Sequence, residues 1–226
     1  STLRISNRRK GVFDMKILIL GAAGQISKML INRLLQETDA ELVLYARNAN
    51  RRIANSDPSR ITIINGDFND SAKLLEVMEG VEIVYLNDMN SPEATQTIVD
   101  AAKKSGVAKI IGATILGIYD EVIGEFGKWN ARMVGRTGTN RHKESAKIIE
   151  DSGIDFTLLR LTWLYNQEDN ERYMVSQKGE PFIGAQVARQ AVARLIMDII
   201  ENPAIYSNKS LGVSEPNTDF PKPSFY

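Results

Sequence analysis

The stretch KILILGAAGQISKMLINRLL, residues 16–35, decides the fold. Its first five residues form a short apolar run that is typical of a buried strand, and a turn with two glycines follows at once. The apolar residues after the turn recur at helical spacing, which predicts a strand, a tight turn and a helix. A strand that leads into a helix in this way is the first unit of an α/β fold with a parallel sheet.

The same alternation continues along the chain. Five further apolar runs predict buried strands at residues 41–46, 61–65, 81–86, 108–113 and 155–161, with helical patterns between them. Because a parallel connection must cross over through a helix, we predict a doubly wound Rossmann sheet with the strand order 3-2-1-4-5-6. A last helix is predicted within residues 186–203, and the pattern allows a short additional strand near residues 209–213.

The sequence predicts one domain. We assign residues 15–226 to it, including an irregular, proline-rich arm after residue 214. Residues 1–14 are interpreted as an extension that comes from an upstream start or was added to the chain, in preference to a targeting peptide.

The composition excludes several kinds of site. The chain has 226 residues with 28 Lys and Arg, 28 Asp and Glu, one His and no Cys. A chain without Cys has no disulfide, no thiolate zinc site and no Cys nucleophile, and we predict no metal site. Four basic residues and one acidic residue fall within residues 1–14, so the remainder is net acidic. We therefore expect no nucleic-acid partner, no membrane partner and a cytoplasmic location.

A glycine turn, residues 21–24 with the sequence GAAG, separates the first strand from its helix. The first glycine permits a sharp turn, and the second lets a pyrophosphate approach the backbone and the free N–H groups of the helix N-terminus. We therefore predict a dinucleotide-binding site. Its candidate residues are Gly21, Ala23, Gly24, Gln25 and Ile26. The alternative is a turn that serves only the fold.

The residue after the second strand predicts which dinucleotide binds. A cofactor without a 2′-phosphate usually meets Asp or Glu there, whereas this chain has Arg47. A guanidinium can bind a 2′-phosphate through two hydrogen bonds, so NADP is favoured, with NAD as the second choice. The alternative interpretation is that Arg47 is a solvated residue at a strand end.

Residues after the third and fourth strands complete the predicted cofactor site. Asp67 and Phe68 follow the third strand beside the expected adenine pocket, although Asp is also a common turn residue. Leu86 and Asn87 end the fourth strand. They fall at the crevice outside the carboxyl ends of the strands, where ligands of open α/β sheets bind.

Five segments give the chain a resemblance to a known family. They are GAAGQIS at 21–27, Arg47, GDF at 66–68, ATILGIYDE at 113–121 and EDSGIDFTLLRLTWL at 150–164. With them the chain resembles the atypical short-chain dehydrogenases/reductases, in particular the NmrA-like and NADH-flavin-reductase-like group. This resemblance, which extends over most of the predicted domain, implies a single NAD(P)-binding Rossmann domain.

The resemblance also reveals a departure from the family's active site. Typical members use a Tyr and a Lys four residues apart, and alignment on Ser152 places Gly138 and His142 at these positions. On the fifth strand the matching hydroxyl is Thr114 in one alignment, whereas another alignment places Ile115 there. Thr114 and His142 are therefore the candidate catalytic residues, and Thr114 is also a candidate cofactor contact.

A site without the Tyr and Lys suits an acceptor that can take up charge in an extended ring. The resemblance therefore implies an oxidoreductase that transfers hydride from NADPH to a flavin, a quinone or a similar small acceptor. The alternative is a non-catalytic regulator that senses NADP(H) and acts through a protein partner. A homodimer is left open. Candidate residues for the acceptor side are Thr114, Leu116, Tyr119, Trp129, Thr162, Trp163 and Tyr165.

Overall fold

The computed structural model describes residues 15–226, so the extension predicted for residues 1–14 lies outside the described part of the chain. The strands are β1 Lys16–Leu20, β2 Glu41–Ala46, β3 Ile61–Asn65, β4 Ile83–Leu86, β5 Lys109–Ile115, β6 Asp155–Leu161, β7 Trp163–Tyr165, β8 Met174–Gln177, β9 Gln186–Ala188 and β10 Lys209–Ser214. The helices are α1 Gln25–Glu37, α2 Ala49–Arg52, α3 Ser71–Val77, α4 Pro92–Ser105, α5 Gly124–Val134, α6 Arg136–Glu150 and α7 Arg189–Glu201.

Eight strands form one sheet in the order β3-β2-β1-β4-β5-β6-β10-β8. The first six pair in parallel in the predicted order, which confirms the doubly wound Rossmann fold. β10 pairs in parallel with β6, where the sequence allowed a further strand. The sequence did not predict two features: β8 adds an antiparallel edge beside β10, and β7 pairs with β9 in a separate two-stranded sheet.

Helices cover both faces of the sheet. α1 and α7 pack on one face, where Leu30 and Ile196 join a continuous apolar core. α3, α4 and α6 pack on the other face through Leu74, Ile98 and Ile149. Full burial of an apolar side chain of this size stabilises the fold by about 1.5–3 kcal/mol. Among the described residues, no helix combines the length and the apolar character that a membrane crossing requires.

The ends of α4 show how local sequence sets a crossover helix. The Ser91 hydroxyl accepts a hydrogen bond from the Ala94 N–H at 3.1 Å, and Pro92 is the first helical residue. Gly106 ends the helix with a φ of 72°, a left-handed conformation that glycine adopts without strain. The chain then enters β5, whose carboxyl end reaches the site described below.

A buried arginine connects the loop after β5 to the sheet. Arg160 on β6 is fully buried, and its guanidinium donates a hydrogen bond to the carboxylate of Glu121 in that loop. It also donates to the hydroxyl and to the backbone oxygen of Ser210 on β10, both at 3.1 Å. Because the buried charge is paired and hydrogen-bonded on several sides, it is tolerated in the interior. These contacts hold the loop against β6 and β10.

We expect Glu121→Ala to lower the free energy of unfolding by about 3–5 kcal/mol, because it leaves the Arg160 charge buried without its partner. The double substitution Glu121→Leu with Arg160→Met replaces the pair by apolar groups and should cost much less stability. Urea unfolding followed by circular dichroism measures both values. Equal stability of Glu121→Ala and the wild-type protein would contradict this account.

Candidate active site

The glycine turn joins β1 to α1 in a shape that leaves the helix N-terminus open. Gly21 has a φ of 83°, in the left-handed region, and its N–H donates to the Tyr45 backbone oxygen at 3.0 Å. Gly24 is the N-terminal cap of α1, and the first turn of this helix contains no acidic residue. The positive end of the helix is therefore available to an anion.

The Asn87 side chain, at the end of β4, fills the space beside both glycines. A Cβ at Gly21 would lie 3.0 Å from the Asn87 Cβ, and a Cβ at Gly24 would overlap the Asn87 side-chain nitrogen. The phenol of Tyr85 donates to Asn87 Oδ1 at 2.7 Å, and burial raises the pKa of that phenol, which keeps it protonated. The Asn87 amide nitrogen is thereby directed at the glycine turn, where it can donate a hydrogen bond to a ligand.

Tyr45 organises the predicted adenine side. Its phenol donates to the Asp67 backbone oxygen at 2.6 Å, and its ring is stacked on Phe68 with centres 6.2 Å apart. Burial, with Asp70 and Asp67 nearby, raises the pKa of Tyr45 to about 12. The Asp67 carboxylate accepts from the Asn69 N–H at 2.7 Å, which is the turn interaction that the sequence left as an alternative.

Two other predicted cofactor residues differ in exposure. Arg47 follows β2 with an exposed side chain, and its backbone oxygen accepts a hydrogen bond from Arg52 at 3.0 Å. Leu86 is fully buried in the core, so only its backbone is available to a ligand.

A cleft of about 550 Å³ opens at the carboxyl ends of β4, β5 and β6, beside the beginning of α1. This volume is typical of small-molecule sites. The structure brings eight predicted residues into its lining, namely Gln25, Ile26, Asn87, Thr114, Leu116, His142, Thr162 and Trp163. The other predicted cofactor residues lie at the glycine turn and at the ends of β2, β3 and β4, namely Gly21, Ala23, Gly24, Arg47, Asp67, Phe68 and Leu86.

Thr114 is buried at the floor of this cleft. Its side-chain oxygen has no hydrogen-bond partner among the described residues, although nearly all buried polar groups in proteins have one. Ile115, which one alignment places at the family's hydroxyl position, also lines the cleft but offers no polar group. Thr114 thus lines the cleft with a buried hydroxyl that has no partner within the described part of the protein.

His142 lines the cleft from α6 and is half-buried. Its Nδ1 lies 2.9 Å from the Gly138 backbone oxygen. Because a carbonyl can only accept, this contact requires a proton on Nδ1 and leaves Nε2 free to exchange a proton with a ligand. Gly138 and His142, which the resemblance aligns with the family's Tyr and Lys, are thus joined by this contact within one helix.

Three residues predicted for the acceptor side do not line the cleft. The Tyr119 phenol donates to the carboxylate of Glu150, and the Arg160 guanidinium lies 5.0 Å from the centre of the Tyr119 ring. Burial and the Glu150 carboxylate raise the pKa of this phenol. Trp129 packs against Trp163 with ring centres 4.7 Å apart, and Tyr165 packs against Phe225 at 5.5 Å.

Arg189 and Tyr226 are two of the lining residues that the sequence did not predict. The Arg189 guanidinium donates to Asn166 Oδ1 at 2.9 Å, and the Asn166 amide nitrogen donates to the Gln25 side chain at 3.0 Å. This chain of hydrogen bonds joins the beginning of α7 to that of α1. The position of Arg189 at the start of a predicted helix could have indicated that it belongs to the site. Tyr226 follows an aperiodic segment, whose sequence does not indicate where it lies.

A family model described as NAD(P)H-binding matches residues 21–203, which include the glycine turn and most of the cleft. The chain belongs to this family. The match confirms the predicted dinucleotide-binding class of Rossmann domain and assigns the chain to an oxidoreductase-type family.

Solved structures and a curated relative agree with this assignment. A short-chain dehydrogenase/reductase from Veillonella parvula in complex with NADP is 33% identical, with a TM-score of 0.90 over 93% of this chain and 99% of that chain. A Rossmann-fold NAD(P)-binding family protein from Shigella flexneri is 31% identical, with a TM-score of 0.78 over 94% and 99%. Quinone oxidoreductase 2 of Escherichia coli is 29% identical over 71% of this chain, which spans 51% of that enzyme's length.

We expect Thr114→Val to raise the free energy of unfolding by about 1 kcal/mol, because it removes a buried hydroxyl without a partner. The matched control is Thr157→Val, since the buried Thr157 hydroxyl donates to the Tyr206 oxygen at 2.8 Å. That substitution should lower the free energy by about 1 kcal/mol. Urea unfolding compares the two, and the same loss of stability in both would show that the Thr114 hydroxyl is already satisfied.

Proposed function

We propose that this protein is an NADPH-dependent reductase whose acceptor is a planar conjugated molecule of the flavin or quinone type. The observation that carries the proposal is the position of Asn87, which packs on the glycine turn and also lines the cleft. A dinucleotide with its phosphates at the turn would therefore have its nicotinamide end in the cleft.

The residues on both sides of Asn87 fit a nicotinamide dinucleotide. At the turn, the close approach of Asn87 to Gly24 leaves no room for a side chain, and the helix N-terminus offers N–H donors to a pyrophosphate. In the cleft, the Thr114 hydroxyl has no hydrogen-bond partner among the described residues, and a bound ligand would supply one. The bound cofactor would supply a hydride, while the protein contributes binding, orientation and electrostatics.

Arg47 favours NADP over NAD. It is the exposed cation that follows β2, where the acidic residue of NAD-specific proteins usually stands. The complex of the Veillonella parvula relative with NADP supports this preference. Arg51 and Arg52 come close behind, and Arg52 is bound to the Arg47 backbone oxygen, so it can strengthen the local positive charge.

The acceptor class follows from the groups that face the cleft. The resemblance aligns Gly138 and His142 with the family's Tyr and Lys, so His142 is the one side chain of this pair that can exchange a proton with a ligand. Flavins and quinones need little help from a positioned acid, because their rings take up charge and accept a proton from solvent. The Trp163 ring offers an aromatic contact to such an acceptor, and the relationship to a quinone oxidoreductase supports this class.

NADPH oxidation with menadione or FMN, measured without oxygen by the loss of NADPH absorbance, tests the proposal. We expect turnover with at least one of them, and a kcat in His142→Gln within about threefold of the wild-type value, because these acceptors take their proton from solvent and do not require a general acid. The matched control is Lys143→Gln, which changes the exposed neighbour on α6. Binding of NADPH without turnover of any acceptor would contradict the proposal and favour a regulator that senses NADP(H).

Arg47→Ala tests the cofactor preference. Loss of a charge-assisted hydrogen bond to the 2′-phosphate should raise the Kd for NADPH about tenfold or more, while the Kd for NADH stays unchanged. Lys104→Ala is the control, because it removes an exposed cation from the last turn of α4, at the opposite edge of the sheet. Fluorescence titration measures both constants. An equal change in the Kd values for NADPH and NADH would show that Arg47 does not bind the 2′-phosphate.

A further inference from the structure

Three aromatic rings from different parts of the chain meet at one wall of the cleft. Trp129 lies on α5, Trp163 on β7 and Tyr226 in the segment after β10. The centre of the Tyr226 ring lies 5.3 Å from that of Trp129 and 5.1 Å from that of Trp163. Trp163 and Tyr226 line the cleft, and Trp129 packs against both. We call these three residues the aromatic wall.

Trp163 and Tyr226 differ in how their rings are fixed by the surrounding protein. The Trp163 indole N–H donates to Asn130 Oδ1 at 2.9 Å, and Asn130 is itself buried. Tyr226 is 54% exposed, and the backbone before it is held by a hydrogen bond from the Ser224 N–H to the Gln186 side chain at 2.7 Å. The wall therefore combines a fixed ring with one that lines the cleft and remains more than half exposed.

We propose that Tyr226 determines which acceptors bind, because a planar conjugated acceptor stacks on its exposed ring, while the Trp163 ring, inclined at 78° to that of Tyr226, bounds the same part of the cleft. This inference rests on the proposed function, since it names the residue that selects the acceptor. Contact between aromatic rings stabilises by about 0.5–1.5 kcal/mol beyond the burial of area. An acceptor that covers the exposed ring also removes apolar surface from water. A compact, non-planar acceptor gains neither contribution.

Tryptophan fluorescence reports directly on this wall, because Trp129 and Trp163 are the only two tryptophans of the chain. We would titrate the full chain with menadione and with FMN in the presence of NADP, which prevents turnover. Quenching of the tryptophan emission gives the Kd of each ligand. The variants are Tyr226→Phe, which keeps the ring, and Tyr226→Ala, which removes it.

We expect Tyr226→Ala to raise the Kd of the planar ligand about three- to tenfold and Tyr226→Phe to match the wild-type protein. The Kd for NADPH should stay unchanged in both variants, because the glycine turn and Arg47, which bind the phosphates in the proposed function, are not among the residues that line the cleft with Tyr226. The matched control is Phe225→Ala, which removes the neighbouring exposed ring; that ring contacts both Tyr165 and Tyr226, with centres 5.5 Å apart in each pair, but does not line the cleft. Its Kd values should equal those of the wild-type protein.

The outcomes separate this inference from the proposed function. Quenching by the planar ligand that weakens in Tyr226→Ala, without any NADPH oxidation, would support the stacking surface and overturn the reductase. NADPH oxidation with an unchanged Kd and KM for the acceptor in Tyr226→Ala would support the reductase and overturn the role of Tyr226. An equal loss in Phe225→Ala, or a loss of NADPH affinity in Tyr226→Ala, would also overturn it, because either result indicates a general loosening of the segment.

A second readout distinguishes stacking from a structural effect on turnover. 1,4-Benzoquinone accepts a hydride from NADPH and a proton from solvent, but its single ring offers much less area for stacking than menadione, so the rate of its reduction should change much less in Tyr226→Ala. The KM for menadione should rise in the same variant, with kcat unchanged. A parallel fall in the rates with both oxidants would overturn the proposed role of Tyr226.

Discussion

The parallel pairing of β1 with β2 and β4 is the constraint on which the site depends. Leu20 lies opposite both Tyr45 and Leu86, so the residues that follow these three strands emerge at one edge of the sheet. Gly21 and Asn87 are therefore in contact although they are far apart in the sequence. Because parallel strands can be joined only by crossovers, the helices must cover the faces and leave this edge open. The cleft is the direct result.

The sequence predicted the parts of the molecule that local patterns determine. The apolar runs of β1, β2, β4, β5 and β6 are largely buried, that of β3 is partly buried, and the glycine turn needs only its own residues to be recognised. β7 and β8 are short and half-buried, and their pairing is decided by strands distant in the chain. The same limit applies to the site. Thr114 could be located from the strand order, whereas the placement of Tyr119 depends on a charge pair within the interior that no periodicity reveals.

Two buried polar groups on neighbouring strands differ in whether the protein itself satisfies their hydrogen bonds. Arg160 on β6 is charged, fully buried and hydrogen-bonded to Glu121 and Ser210, so its burial is compensated within the protein. Thr114 on β5 is buried without such compensation. A hydroxyl left in this state costs stability in the ligand-free protein and gains its partner when a ligand binds. Local departures from good packing of this kind are expected where a protein binds its ligands.

The crystal structure of the protein with NADP tests the central claim most directly, because it locates the dinucleotide relative to both halves of the site. The account predicts that the pyrophosphate lies at the N-terminus of α1 beside the glycine turn and that the nicotinamide ring lies in the cleft within hydrogen-bonding distance of the Thr114 hydroxyl. A dinucleotide bound elsewhere, or one whose nicotinamide lies outside the cleft, would contradict it.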